Sequence, residues 1–214
     1  MCKRLSNLVI VLVALGLVTL GLGVASAQDV YKVNYFSNTN QVPGTVPAPD
    51  ATYRIDNPGV AGGNLCAMIY VFDYDQQMAE CCGCLETPNG LRTLSVNYNL
   101  TSNPLTGVIP PSGVVKIVSA AVNNSPCDPT SAVTPTPNLR VWATHIQTPI
   151  GVDPAAVKPG AKPQVFAPSA YGITETESSD STLGATELAT LQAECRFIGI
   201  LGSGHGICSC GWGD

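Results

Sequence analysis

The sequence predicts a mainly β fold: an antiparallel β-sandwich with one C-terminal amphipathic helix and a disulfide-tethered C-terminal tail. Three observations carry that prediction. Short runs of strand-forming residues are separated by turn signals such as Asn57-Pro58-Gly59 and Thr87-Pro88-Asn89-Gly90. Only 12% of residues are charged and only 6% aromatic, against 21 Gly and 17 Pro, which favours strands and loops over a helical bundle. Five of the nine cysteines crowd into two clusters, Cys81-Cys82-Gly83-Cys84 and Cys208-Ser209-Cys210, about 120 residues apart. A chain that closes on itself through such clusters ties its end to its middle.

The N-terminus has Lys3 and Arg4, then an apolar run from Leu8 to Val24, then Ala25-Ser26-Ala27. A basic start, an apolar stretch and a small-residue site describe a secretory signal peptide over residues 1–27, cut before Gln28. The apolar run is 17 residues long and holds Gly16, Gly21 and Gly23. It sits at the lower limit for a membrane span, and no later run is long enough to cross. Residues 28–214 form one disulfide-stabilised domain, with a β part over 28–170 and a helix with its Cys-rich tail over 171–214. Loss of Lys3 and Arg4 moves the formal charge from −5 to −7. No basic stripe remains to neutralise phosphates, so nucleic acid is excluded as a partner. Secretion, a cell-exterior site or the periplasm is the expected location, with cell-surface or matrix components as expected partners and no cofactor.

In chain order, Val30–Phe36 alternates loosely and forms a first strand. Residues 37–51 are a loop or extended linker. Thr52–Asp56 is a short strand stopped by Asn57-Pro58-Gly59. Leu65–Phe72 is the most apolar stretch of the mature chain and reads as a central strand buried on both faces. Asp73–Glu80 forms a surface loop or a helical turn that delivers Cys81. Leu91–Asn97 is an exposed strand, and Val114–Ala120 a well-formed one. A loop over 123–138 carries Cys127. Leu139–Ile146 alternates Leu, Val and Ala against Arg, Trp and Thr, a half-buried strand that leaves His145 on the polar face. Residues 147–170 hold five prolines and form an extended crossover in which Gln164–Phe166 pairs briefly. Thr174-Glu175-Thr176-Glu177 has capping-box spacing. Beyond it Gly184, Leu188, Leu191, Cys195 and Ile198 recur at helical spacing, with Cys195 on the apolar face and Gly199 or Gly202 as the stop.

Eight cysteines belong to the mature chain: Cys66, Cys81, Cys82, Cys84, Cys127, Cys195, Cys208 and Cys210. An even number in an exported chain is a disulfide framework. Sequence leaves the connectivity open, with one expectation: at least one of Cys208 and Cys210 bridges to the Cys81–Cys84 cluster. The metal alternative takes Cys81, Cys82, Cys84, His205, Cys208 and Cys210 as thiolate and imidazole ligands, although the C-x-C spacing is tighter than the zinc-ribbon C-x-x-C. Thiol redox chemistry finds no activated sulfur, since Glu80 beside Cys81 disfavours the thiolate. Gly202–Gly206 lacks the following helix of a dinucleotide loop and the spacing of a nucleophile elbow. Its glycines serve the turn into Cys208.

His145 and His205 are the two imidazoles available to a scattered catalytic set. Asp73 and Asp75 are a weak start on a calcium site, which needs six or more oxygens. Asn99-Leu100-Thr101 and Asn123-Asn124-Ser125 match the glycosylation pattern.

The run from Leu65 to Gly107, with Glu80-Cys81-Cys82-Gly83-Cys84 and Leu100-Thr101-Ser102-Asn103-Pro104-Leu105-Thr106-Gly107, and the ending Gly202–Cys210 resemble a group of exported, cysteine-rich bacterial proteins. The resemblance implies a bacterial, cell-exterior setting and brings no activity or site residues with it. The expected function is that of an exported structural, surface or adhesive protein without catalysis. The alternatives are a secreted hydrolase built around His145 or His205, with Asp73 and Asp75 as acids, and a metal- or small-ligand-binding module at the cysteine clusters.

Overall fold

The computed structural model describes residues 29–37, 50–101, 110–123, 127–147, 172–201 and 206–210. The expected signal peptide, the Gln164–Phe166 pairing and His205 lie outside them. Ten strands and one long helix are described: β1 (Tyr31–Ser37), β2 (Thr52–Asn57), β3 (Leu65–Asp73), β4 (Met78–Glu86), β5 (Gly90–Ser95), β6 (Ser112–Ala121), β7 (Arg140–Gln147), β8 (Gly172–Glu177), β9 (Ser179–Asp180), α1 (Ala185–Leu201) and β10 (Gly206–Ile207). A five-residue π turn, Val96–Leu100, follows β5.

Two sheets face each other. The larger has the order β10-β4-β3-β6-β1-β9 and the smaller β5-β2-β7-β8. Among the described residues every strand pairing is antiparallel except β10 on β4, where the tail returns parallel to the strand it joins. Tyr53, Ile55, Leu94 and Val141 of the smaller sheet pack on Phe36, Leu65, Ile69, Val71, Val115 and Ile117 of the larger. This is the sandwich core. A second apolar layer lies on the opposite face of the larger sheet, where Cys66, Met68, Tyr70, Val118 and Ala120 meet Leu191 and Cys195 of α1.

The two layers explain β3. Its odd-numbered residues Leu65, Ala67, Ile69 and Val71 fill the sandwich, and the even-numbered Cys66, Met68 and Tyr70 face the helix layer. A strand alternates its side chains between faces, so one that is covered on both faces has to be continuously apolar. Burying each large side chain contributes about 1.5–3 kcal/mol.

Glu187, in the first turn of α1, anchors the helix by accepting from Tyr31 Oη at 2.8 Å and Lys116 Nζ at 2.7 Å. Leu191 and Cys195 are buried, with Leu188 and Ile198 packed beside them, as the spacing predicts. The helix runs through Gly199. The capping-box expectation fails: Gly172–Glu177 is strand β8, paired along β7 from Trp142–Glu177 to Gln147–Gly172. Thr174, Thr176 and Ile173 are good strand formers, and pairing with β7 prevails over a local Thr–Glu cap. Ser178 then carries the chain from β8 in one sheet to β9 in the other, where Lys32 of β1 is ion-paired to Asp29 and Asp180.

The stretch expected to be a loop before Cys81 is tighter than predicted. Asp73–Gln77 is a hairpin turn, closed by Gln76 N–H to Asp73 O at 3.1 Å with Gln76 in the left-handed region at φ 66°. The cysteine cluster therefore lies within a strand, not at the end of a helical turn.

Candidate functional site

Strand periodicity gives each residue of Glu80-Cys81-Cys82-Gly83-Cys84 a direction. Cys82 and Cys84 lie opposite Ile69 and Ala67 and share their sandwich face. Cys81 lies on the other face, with the helix layer. Gly83 shares that outer face, where a Cβ would sit 2.0 Å from the carbonyl oxygen of Cys127. Only glycine lets that segment lie so close. Two adjacent cysteines on a strand thus serve two different layers.

All eight cysteines of residues 28–214 are paired. Cys81 is bridged to Cys195 on α1, with Cα atoms 5.9 Å apart. Cys66 is bridged to Cys127, pinning the loop over 127–139 to β3. Cys82 pairs with Cys208 and Cys84 with Cys210, at Cα separations of 5.1 and 5.4 Å. The tail therefore meets the cluster through both of its last two cysteines. Cys208 N–H donates to Cys81 O at 3.3 Å, and Ser209 N–H to Asn99 O at 2.8 Å. Arg92 reaches across from β5, donating to Glu86 Oε1 at 2.7 Å, to Leu85 O at 2.9 Å and to Cys210 O. The tail is held as a two-rung clasp beside β4.

Of the residues proposed as metal ligands, the Sγ atoms of Cys82, Cys84 and Cys210 all lie within 4.8 Å of one another. Cys81 points to the opposite face of β4 and belongs to another bridge. In disulfide form none of these sulfurs is a thiolate, the species that binds metals or attacks electrophiles.

His145 is not on the polar face of its strand. It is 1% exposed, in register with Val141 and Ala143, which face the core. Its Nε2 lies 2.7 Å from Thr176 Oγ1, its ring stacks on Tyr35 with centroids 3.9 Å apart, and its Nδ1 has no partner. Burial lowers its pKa below the ordinary value, so the imidazole is neutral near pH 7. Asn34 Nδ2 reaches Thr176 Oγ1 and Ser178 Oγ, each at 3.3 Å. A base beside a hydroxyl is half of a nucleophilic arrangement, which needs a third group on Nδ1 to orient the ring. That group is missing among the described residues. The cluster instead closes the sandwich where the chain changes sheets.

Asp73 and Asp75 do not join it. Asp73 Oδ1 accepts the backbone N–H groups of Asp75 and Gln77 at 2.9 and 3.0 Å, shaping the hairpin. Asn99 is similarly engaged, its Oδ1 accepting from Ser95 N–H at 2.8 Å.

Glu80 is the residue whose environment the sequence did not disclose. It lies opposite Val71, on the same face as Cys82, is 1% exposed, and its Oε2 has no hydrogen-bond partner. Burial pushes its pKa up to about 9, so the carboxyl is neutral at pH 7. It faces away from Cys81 and does not govern that sulfur. Once β4 is known to be a strand, its two-residue offset from Cys82 is the signal that places it inside.

A cleft of about 200 Å³ lies beside the Cys66–Cys127 bridge, lined by Met68, Asn123, Asp128, Ser131 and Val133 among others. Small-molecule sites usually enclose about 300–1,000 Å³. No family model, curated protein or solved structure matches the chain.

Proposed function

We propose that the chain is an exported structural, surface or adhesive protein without catalytic activity, matured by removal of residues 1–27. The observation that supports this reading best is the complete pairing of the eight cysteines after Ala27, with β4 stapled on both faces. Four bridges belong to an oxidising setting outside the cytoplasm. Among the described residues no helix is long and apolar enough to cross a membrane. The polar, hydroxyl-rich loops and the tail clasp suit a domain whose task is to persist and to contact surface or matrix components.

The test has two parts. Cell fractionation with intact-mass analysis reads where the protein goes and whether it begins at Gln28 with no free thiol. The purified mature protein is then assayed for retention on isolated envelope or matrix and for turnover of ester, peptide and glycoside substrates. Retention without turnover supports the proposal. Turnover that disappears in a His145→Gln variant would replace it with the hydrolase reading.

A further inference from the structure

We propose that the tail clasp is a latent thiolate site: once reduced, Cys82, Cys84, Cys208 and Cys210 bind one thiophilic d10 cation, of which Zn2+ is the reference case. The clasp is doubled. Cys82–Cys208 and Cys84–Cys210 are rungs two residues apart on β4 and on the tail. With one rung formed, the other closes only a small additional loop and adds much less than its 126-residue separation implies. Two C-x-C pairs in register are, however, what a four-sulfur site requires.

The geometry is close to that site already. Tetrahedral Zn2+ with Zn–S bonds of about 2.3 Å holds its sulfurs about 3.8 Å apart. Cys82, Cys84 and Cys210 have their Sγ atoms within 4.8 Å of one another, and the Cys208 sulfur is bonded to that of Cys82. Side-chain rotation about β4 and the tail is enough to bring four thiolates around one ion. Cys81 is excluded, because strand alternation turns it to the helix layer. Four thiolates on a divalent ion leave a net charge of −2, and the Arg92 guanidinium, which pairs with Glu86 and donates to Cys210 O, lies beside them. Ser209 is exposed and Cys210 only half-buried, so the outer rung has a path to solvent.

The chemistry balances with a dithiol as reductant. Two dithiols deliver four electrons, two to each rung, and leave as their own disulfides, giving four cysteine thiols. The cation then displaces the four thiol protons. The metal takes over from the bridges and holds the tail on β4.

The experiment reduces the mature protein with dithiothreitol under native conditions, removes the reductant anaerobically, and titrates with Zn2+ and with Cd2+ as the spectroscopic probe. Two double variants are run in parallel: Cys84→Ser with Cys210→Ser, which removes the outer rung, and Cys81→Ser with Cys195→Ser, which removes the helix staple. The expected result is one ion per chain, a sulfur-to-cadmium charge-transfer band, and release of about four protons per ion. The band and the bound ion are lost in the first variant and kept in the second. No uptake by the reduced wild type, or equal uptake by both variants, overturns the proposal.

Discussion

If the tail is held by nested bridges, removing one rung of the clasp destabilises far less than its long sequence separation implies. Cys82–Cys208 and Cys84–Cys210 each span 126 residues, which taken alone corresponds to about 5 kcal/mol of unfolded-state entropy. The bridges are not independent, however. With Cys81–Cys195 in place, closing Cys82–Cys208 adds a loop of only about 14 residues, worth about 3 kcal/mol, and Cys84–Cys210 then adds about four residues and 2 kcal/mol. Cys84→Ala with Cys210→Ala, and separately Cys82→Ala with Cys208→Ala, are therefore expected to cost about 2 kcal/mol each from chain entropy, and the quadruple variant about 5. The assay is urea unfolding without reductant, read by far-UV circular dichroism, with each value corrected by a reduced wild-type reference. Losses near 5 kcal/mol for each pair and near 10 for the quadruple variant would refute the nested arrangement.

Three further outcomes follow from the same structure. Glu80→Gln mimics the protonated carboxyl; because the folded pKa of about 9 lies above the ordinary 4.5, wild-type stability is full below pH 4.5 and falls as pH rises toward 9. At roughly 1.4 kcal/mol per pH unit, the variant is about 3 kcal/mol more stable at pH 7 and equal near pH 4, and parallel pH–stability curves would remove the buried carboxyl. His145 has a depressed folded pKa, so its contribution is intact above the ordinary value of 6.5 and lost as pH falls below it. His145→Gln flattens that acid limb in urea midpoints measured between pH 7 and 5, and an unchanged limb argues against a buried neutral imidazole. Gly83→Ala drives a methyl into the Cys127 carbonyl; it lowers stability by about 1–3 kcal/mol or more, seen as a lower melting temperature, and an unchanged melt would mean the loop yields freely.

The sequence was most legible where the physics is local and repetitive. Leu65–Phe72 announces a strand covered on both faces because nothing polar interrupts it, and Leu188, Leu191, Cys195 and Ile198 announce one face of a helix. Elsewhere tertiary pairing decided. Thr174–Glu177 carries a helix-start pattern, but β7 offers a partner along its length and the segment becomes a strand. His145 follows the parity of Val141 and Ala143; its polar identity suggested exposure, whereas the covering residues Tyr35 and Thr176 come from strands distant in sequence. Glu80 was obscure for the same reason, since its burial depends on where β4 begins. The cysteine connectivity follows from which faces meet, and only the assembled layers show that Cys81 must turn toward Cys195 while Cys82 and Cys84 turn toward the tail.

The C-terminal tail is clasped to β4 through two bridges of the cysteine cluster. Proteolysis of the unreduced, thiol-blocked protein followed by tandem mass spectrometry with stepwise reduction tests it most directly. The expected result is one linked species joining the Cys81–Cys84 segment to both Cys195 and the Cys208–Cys210 segment, with Cys66 and Cys127 in a separate pair. A Cys208–Cys210 bridge, or blocked thiols at either position, would contradict it.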